Sequence, residues 1–529
     1  MAEKKKQKIY VFDTTLRDGA QSADISFSVR DKLRIVERFD DIGIDYIEVG
    51  FPASNPKDEE LFSELKKRKY RNSKIVAFGR TKYKDTSAGN DANLRVLLDS
   101  GADTMCIFGK SSTLHVEKVL ETTLENNLEM IFDSVQYLKA NSPEVIYDAE
   151  HFFDGYKLDR DYAVKTLKAA EDAKADFIVL CDTNGGCLPG EILEILKDIV
   201  MQVDIPLGLH CHNDTGCAVA NTVIAIEHFS QVNMVQGTIN GYGERCGNAD
   251  LCQIIPSLEI KLNRMCLPDG NLRHLTNLSR YISETANQVP FGAQPFVGKN
   301  AFAHKAGMHV HGVTKAPEAF EHIKPELVGN TREILVSELS GKKSIIVKAK
   351  EFGVDLEKDS DSVNRILNMV QNLEHKGYQF EAADGSFELI VKDVAGVKKK
   401  FFTLESFRVL NEKRTDAIMV SEATVKILVD DNRIIETAEG DGPVHALDSA
   451  LRKALTNFYP DLEKIKLSDF KVRVLDEKQG TGAVVRVLIE STDGTRSWGT
   501  IGVSKNIIEA SWQALEDSIV YGLMHLETA

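Results

Sequence analysis

Along the first half of the chain two periodicities alternate. Short apolar runs at 9–13, 46–50, 75–78, 104–108, 145–149, 177–181, 207–211 and 235–239 read as strands covered on both faces. Between them, stretches such as 29–42, 92–100, 162–173 and 191–201 place apolar residues every three or four positions, the period of a helix with one buried face. Eight strands with eight crossovers in roughly 250 residues is the size of a (β/α)8 TIM barrel. The rival is an open doubly wound sheet, but no strand is followed by a dinucleotide-type glycine fingerprint.

After the barrel the pattern changes. Residues 288–298 are rich in Pro and Gly and mark a boundary, and a mostly helical region follows to about 395. Beyond it lies a weak repeat: 423–429, 433–438 and a helix at 446–458 form a ββα unit matched by 484–490, 495–503 and 507–523. Alternation in Val425, Ile427 and Val429, and in Val485, Val487 and Ile489, predicts sheets covered on one face. The expected division is therefore a barrel over 1–285, linker subdomains over 286–395 and a C-terminal domain over 396–529.

Composition narrows the class without naming a function. The 529 residues are 43% hydrophobic and 27% charged, ordinary globular values, and no apolar run is long enough to span a bilayer. The basic start runs straight into a strand with no apolar signal core, so a cytoplasmic location is expected. A net charge of -15 with scattered basic residues argues against extended binding to nucleic acid or to anionic membranes. The eight cysteines form no Cys-x-x-Cys pair, and buried reduced thiols are expected rather than a disulfide framework.

In such a barrel, chemistry gathers at the carboxyl ends of the strands. Polar residues cluster there: Arg17 and Asp18 close a first strand read as 8–16, Glu48 ends the second, Glu150 follows the fifth, and Asp182 and Thr183 follow the sixth. His210 and His212 end the seventh and share a face, because residues two apart on a strand point the same way. Asn248 closes the loop after the eighth. An isolated His-x-His is more often a pair of satisfied strand histidines. With Asp18 and Asn248 beside them, the set becomes a borderline-hard donor group suited to Mg, Mn or Zn, with positions open for substrate oxygens.

These residues fall in ordered motifs. Asp13-Thr14-Thr15-Leu16-Arg17-Asp18-Gly19-Ala20-Gln21, His210-Cys211-His212-Asn213-Asp214 and the segment from Thr238-Ile239-Asn240-Gly241 to Asn248 resemble the signatures of the acetyl-CoA-dependent Claisen condensing enzymes, the 2-isopropylmalate, homocitrate and citramalate synthases. The resemblance runs through nearly the whole chain. Val145-Ile146-Tyr147-Asp148-Ala149-Glu150-His151-Phe152-Phe153-Asp154-Gly155, Leu404-Glu405-Ser406-Phe407-Arg408-Val409 and 439–447 are more similar to the citramalate branch.

The resemblance implies an acyltransferase that joins acetyl-CoA to pyruvate and hydrolyses the thioester, on the route to isoleucine among the branched-chain amino acids. Asp18, His210, His212 and Asn248 would hold the metal. Arg17 would donate to the ketone oxygen, although a salt bridge to a nearby carboxylate is its plainer reading. Thr183 would hold the substrate carboxylate through its hydroxyl and amide, or cap a helix. Glu150 and His309 are the acid–base residues, with Glu150 ranked first as the base. Where relatives carry a tyrosine working with that histidine, this chain has Phe320, so either that role is dispensable or His311, His322 or a water supplies the proton. The family's linker lies over the partner's barrel, so a homodimer is implied.

Similar C-terminal domains bind a branched-chain amino acid. Isoleucine is the implied effector, and Asp441, Gly442, Pro443, Gly482 and Ala483, in loops 440–443 and 480–483 and joined by loop 501–506, are the candidate lining. Gly-rich loops are also ordinary turns, and the domain could serve dimerisation alone. Three alternatives compete: a 2-isopropylmalate synthase acting on 3-methyl-2-oxobutanoate, a lyase on the same barrel, and a non-catalytic amino-acid sensor. The long C-terminal region disfavours the lyase, and an intact metal set disfavours the sensor.

Overall fold

The computed structural model describes residues 6–54, 56–305, 307–335, 342–380, 383–413, 419–475 and 482–526. The chain divides into two compact units, 1–302 with 323–331, and 303–322 with 332–529.

In the first unit eight parallel strands close a barrel in sequence order: β1 Tyr10–Asp13, β2 Tyr46–Gly50, β3 Lys74–Arg80, β4 Thr104–Lys110, β5 Val145–Glu150, β6 Phe177–Asp182, β7 Leu207–Cys211 and β8 Val232–Gly237. β8 pairs back onto β1 through Phe12 and Gln236. The TIM barrel read from the periodicity is present. Strand alternation builds two cores: Phe12, Tyr46, Val76, Cys106, Phe177 and Met234 fill the interior, while Val11, Ile47 and Ile107 face the helical layer.

The helix Val29–Ile42 illustrates that outer layer. Ser28 and Asp31 form a reciprocal capping box at its start, and Leu33, Ile35, Val36 and Phe39 are buried. Each such side chain contributes about 1.5–3 kcal/mol. Gly43 ends it at φ 93°, where a Cβ would also lie 2.3 Å from Pro268, so only glycine fits.

Two strand boundaries differ from the sequence reading, and both differences shape the site. β1 stops at Asp13 rather than running to Leu16. Asp13 Oδ1 accepts the Thr15 amide at 2.9 Å, and its other oxygen accepts the Thr15 hydroxyl, so the side chain takes over from the ladder. β8 begins earlier than expected and ends at Gly237; Ile239–Gly241 is a tight turn with Asn240 at φ 66°.

In the second unit β9 Ala303–His304 pairs with β10 Glu333–Ile334, and the helices Gly307–Lys315, Lys342–Glu351, Ser360–His375 and Asp384–Val394 make up the helical stretch. Two antiparallel sheets follow: β11 Thr403–Lys413, β12 Met419–Val429 and β13 Asn432–Gly440, then β14 Lys466–Val474, β15 Val485–Thr492 and β16 Ser497–Ser504. Each is closed by a helix, Pro443–Leu455 and Ile507–Leu526. The repeat is thus βββα, with one strand more than the ββα expected. Val425, Leu447, Val487 and Leu515 share one core. Leu389 of the helix Asp384–Val394 joins it, so the boundary expected at 395 falls between this helix and the sheets it packs on.

Candidate active site

The segments just past the strand ends build the rim of the barrel. After β1 the amides of Arg17, Asp18 and Gly19 all donate to the Thr14 carbonyl, at 3.2, 2.9 and 3.0 Å, turning Arg17 and Asp18 over the barrel mouth. Arg17 Nε donates to Glu48 Oε2 at 2.6 Å, its Nη1 lies 3.5 Å from Asp18, and its guanidinium lies 3.8 Å from the centre of the Phe78 ring. The salt bridge read as Arg17's plainer role is therefore present. Glu48, fully buried, also accepts the Thr14 hydroxyl at 2.5 Å.

β7 delivers His210, and His212 comes just after it, with ring centres 5.2 Å apart. Asp18 Oδ2 lies 3.3 Å from His210 Nε2 and 3.8 Å from His212 Nε2, and the three residues can offer ligand atoms all within 4.8 Å of one another. A β-bridge pairs the backbone of Asn248 with that of His212. Asn248 donates its Nδ2 to the Tyr242 carbonyl at 3.2 Å, while its Oδ1 is buried without a partner. A carboxylate, two imidazoles and an orphaned buried amide oxygen are a donor set that fits a divalent cation.

The electrostatics hold Asp18 ionised and His212 neutral, while Asp18 favours the charged form of His210. Burial alone would raise the Asp18 carboxyl, but Arg17, His210 and His212 outweigh it and hold it well below the usual carboxylate range. Burial, with His210 beside it, pushes His212 down to about 4, which keeps its imidazole neutral near pH 7. His210 is depressed by burial, yet its contact with Asp18 carries it above its ordinary value.

Glu150 ends β5, and the register places it opposite Lys110 at the end of β4; the two side chains form an ion pair. His151 comes next at φ 57°, its Nε2 3.9 Å from Glu150 and its ring stacked on His115 at 3.7 Å. Thr183 lies in the turn after β6. It does not cap a helix, because the next one, Pro189–Ile199, has Leu188 at its start. The Thr183 hydroxyl oxygen accepts the His151 amide at 2.8 Å and its carbonyl accepts Arg245 Nη2 at 2.7 Å, leaving the hydroxyl proton free to point outward. Arg17, Asp18, Glu150, Thr183, His210 and His212 line one cavity of about 320 Å³.

The remaining candidates lie in the second unit. His309 is exposed on the helix Gly307–Lys315, and its ring stands 5.5 Å from that of Phe320. Asp441 is exposed, Gly442 precedes the helix Pro443–Leu455, and Pro443 opens it. Gly482 and Ala483 precede β15, whose Val485 pairs with Ser504, so they sit at the same end of their sheet as residues 504–506. Gly480 and Thr481 fall outside the described residues. Of the cysteines, Cys246 is exposed and Cys217 half-buried, both on loops, and so depart from the expectation of burial.

Known proteins match the chain in three segments. The HMGL-like family matches residues 8–282, the homocitrate synthase post-HMGL domain-like family 296–378, and the LeuA allosteric (dimerisation) domain 381–523. An (R)-citramalate synthase of Geobacter sulfurreducens is 52% identical over 97% of each chain, and one of Aquifex aeolicus is 49% identical over 98% of each. A 2-isopropylmalate synthase of Methanocaldococcus jannaschii is 32% identical over 97% of this chain and 94% of its own. On the match over its full span and the barrel that carries it, the chain belongs to the (R)-citramalate synthase family of acyl-transferring condensing enzymes.

Proposed function

We propose that this enzyme joins acetyl-CoA to pyruvate with the help of a divalent metal, giving citramalate and CoA for isoleucine synthesis, and that isoleucine inhibits it. The observation that carries the catalytic reading is the gathering of Asp18, His210 and His212, with Arg17 at 3.5 Å from Asp18, at the mouth of the barrel. These three and Asn248 would hold the metal, which when bound supplies Lewis acidity to the oxo acid's oxygens.

The chain's own residues divide the work. Glu150, half-buried beside Lys110, takes a proton from the acetyl methyl group. The carbon so freed bonds to the ketone carbon of pyruvate, and Arg17 donates to the oxygen on which negative charge develops. Thr183 donates a hydrogen bond from its hydroxyl to the substrate carboxylate. His309 is the second proposed acid–base residue, and Phe320 against it offers no hydroxyl to work with it. Water then cleaves the thioester C–S bond and releases the CoA thiol. Phe51 and Phe108, with ring centres 6.0 and 5.3 Å from that of Phe78, wall the cavity.

The regulatory reading is supported by the match of 381–523 to an allosteric (dimerisation) domain. Homodimerisation through this region belongs to the same proposal. Isoleucine is expected to suppress CoA release by the full-length protein. The variants Asp441→Ala and Gly482→Trp are expected to raise the half-inhibiting concentration about tenfold, within the usual range of allosteric coupling. Inhibition unchanged in both variants places the effector elsewhere. Because the helix Asp384–Val394 shares the C-terminal core, point substitutions test this better than deleting the chain beyond 400.

A further inference from the structure

We propose that Gln236 is a positioning residue that fixes the tautomer of His210, with Asp148 fixing Gln236 in turn. The inference rests on the reading of Asp18, His210 and His212 as metal ligands.

Gln236 lies on β8 directly opposite His210 on β7. Its Oε1 is 2.8 Å from His210 Nδ1, and its Nε2 donates to Asp148 Oδ1 at 3.1 Å. All three side chains are buried. Seen alone, the Gln–His contact is ambiguous, because an amide can present either its oxygen or its nitrogen and an imidazole can carry its proton on either ring atom. Asp148 removes the ambiguity. Its carboxylate accepts and does not donate, so it takes the NH2 end of Gln236 and leaves the amide oxygen to His210. That oxygen also only accepts, so the imidazole proton sits on Nδ1.

The consequence reaches the metal site. With Nδ1 protonated, the neutral imidazole that binds a metal offers its lone pair from Nε2, the atom 3.3 Å from Asp18. A histidine ligand held in one tautomer and one ring orientation by its other nitrogen binds metal more tightly, typically by 10- to 100-fold. An apolar side chain at 236 would leave Nδ1 unpaired and either tautomer accessible. The order of these residues along the chain conceals the relay, since His210 and Gln236 are 26 positions apart and Gln236 and Asp148 are 88 positions apart.

The test is a titration of metal-stripped full-length protein with Mn²⁺, monitoring free Mn²⁺ by EPR without substrate. Q236M, matched to glutamine in length, is expected to raise the Kd about 10- to 100-fold. The double variant Q236E/D148N keeps an acceptor for Nδ1–H and supplies a donor from position 148, and is expected to return the Kd to within about threefold of wild type, a rescue that a purely space-filling role at 236 does not produce. A wild-type Kd in Q236M, or a double variant as weak as Q236M, overturns the relay. Should Q236M not fold, the double variant alone decides: weak binding by folded Q236E/D148N overturns the proposal, and tight binding supports it. D18N separates the two readings, because Mn²⁺ binding unaffected by that change removes the metal site itself.

Discussion

Asp18→Asn is expected to lower turnover by roughly a thousandfold at saturating metal. The substitution keeps the shape of the side chain and removes one negative charge from a site whose other donors, His210, His212 and Asn248, are all neutral as ligands. A bound metal contributes several kcal/mol of charge stabilisation in the transition state, and each ~1.4 kcal/mol is a factor of ten in rate. Asp18 is buried and close to both histidines, so no exposed carboxylate substitutes for it. The check is kcat with excess Mn²⁺ beside a thermal melt. A cooperative melt with lost turnover fits a ligand; near-normal turnover refutes the assignment.

Arg17→Gln should show two separable effects. Turnover falls by roughly 10²- to 10³-fold, the usual cost of losing one donor aimed at a developing oxyanion. Stability falls by about 3–5 kcal/mol, because Glu48, fully buried, loses its cationic partner at 2.6 Å and stays behind as an uncompensated charge. The double variant Arg17→Gln/Glu48→Gln removes that charge and is expected to recover most of the melting temperature while turnover stays low. Recovery of both would reduce Arg17 to a structural salt bridge; recovery of neither would mean that the arginine packs the rim through Phe78 rather than through charge.

The barrel was legible because each of its strands is covered on both faces, which leaves an uninterrupted apolar run bounded by helical periodicity. The outer strands β11 and β14 were not, since each pairs on one side only and most of its residues are exposed, which erases the alternation that marked β12 and β15. Within the site, residues carried by motifs were found: Asp18, His210 and His212 sit together as the motifs imply. Their partners were not, because closure of the barrel, rather than spacing along the chain, creates the pairs Lys110 with Glu150, Gln236 with His210 and Arg245 with Thr183. Only the strand register brings Lys110 level with Glu150. Polar residues at equivalent positions of neighbouring strand ends were the available signal for that pair. No comparable signal pointed to Asp148, where burial pushes the carboxyl up to about 6, with Glu48 adding to it.

Metal-dependent condensation on pyruvate is tested most directly by thiol release. Protein stripped of metal is mixed with acetyl-CoA and either pyruvate or 3-methyl-2-oxobutanoate, before and after addition of Mn²⁺ or Mg²⁺. The expected result is CoA release that requires the metal, runs faster with pyruvate and matches citramalate formed mole for mole. Release that persists without metal, or that is faster with the larger oxo acid, would contradict this reading of the site.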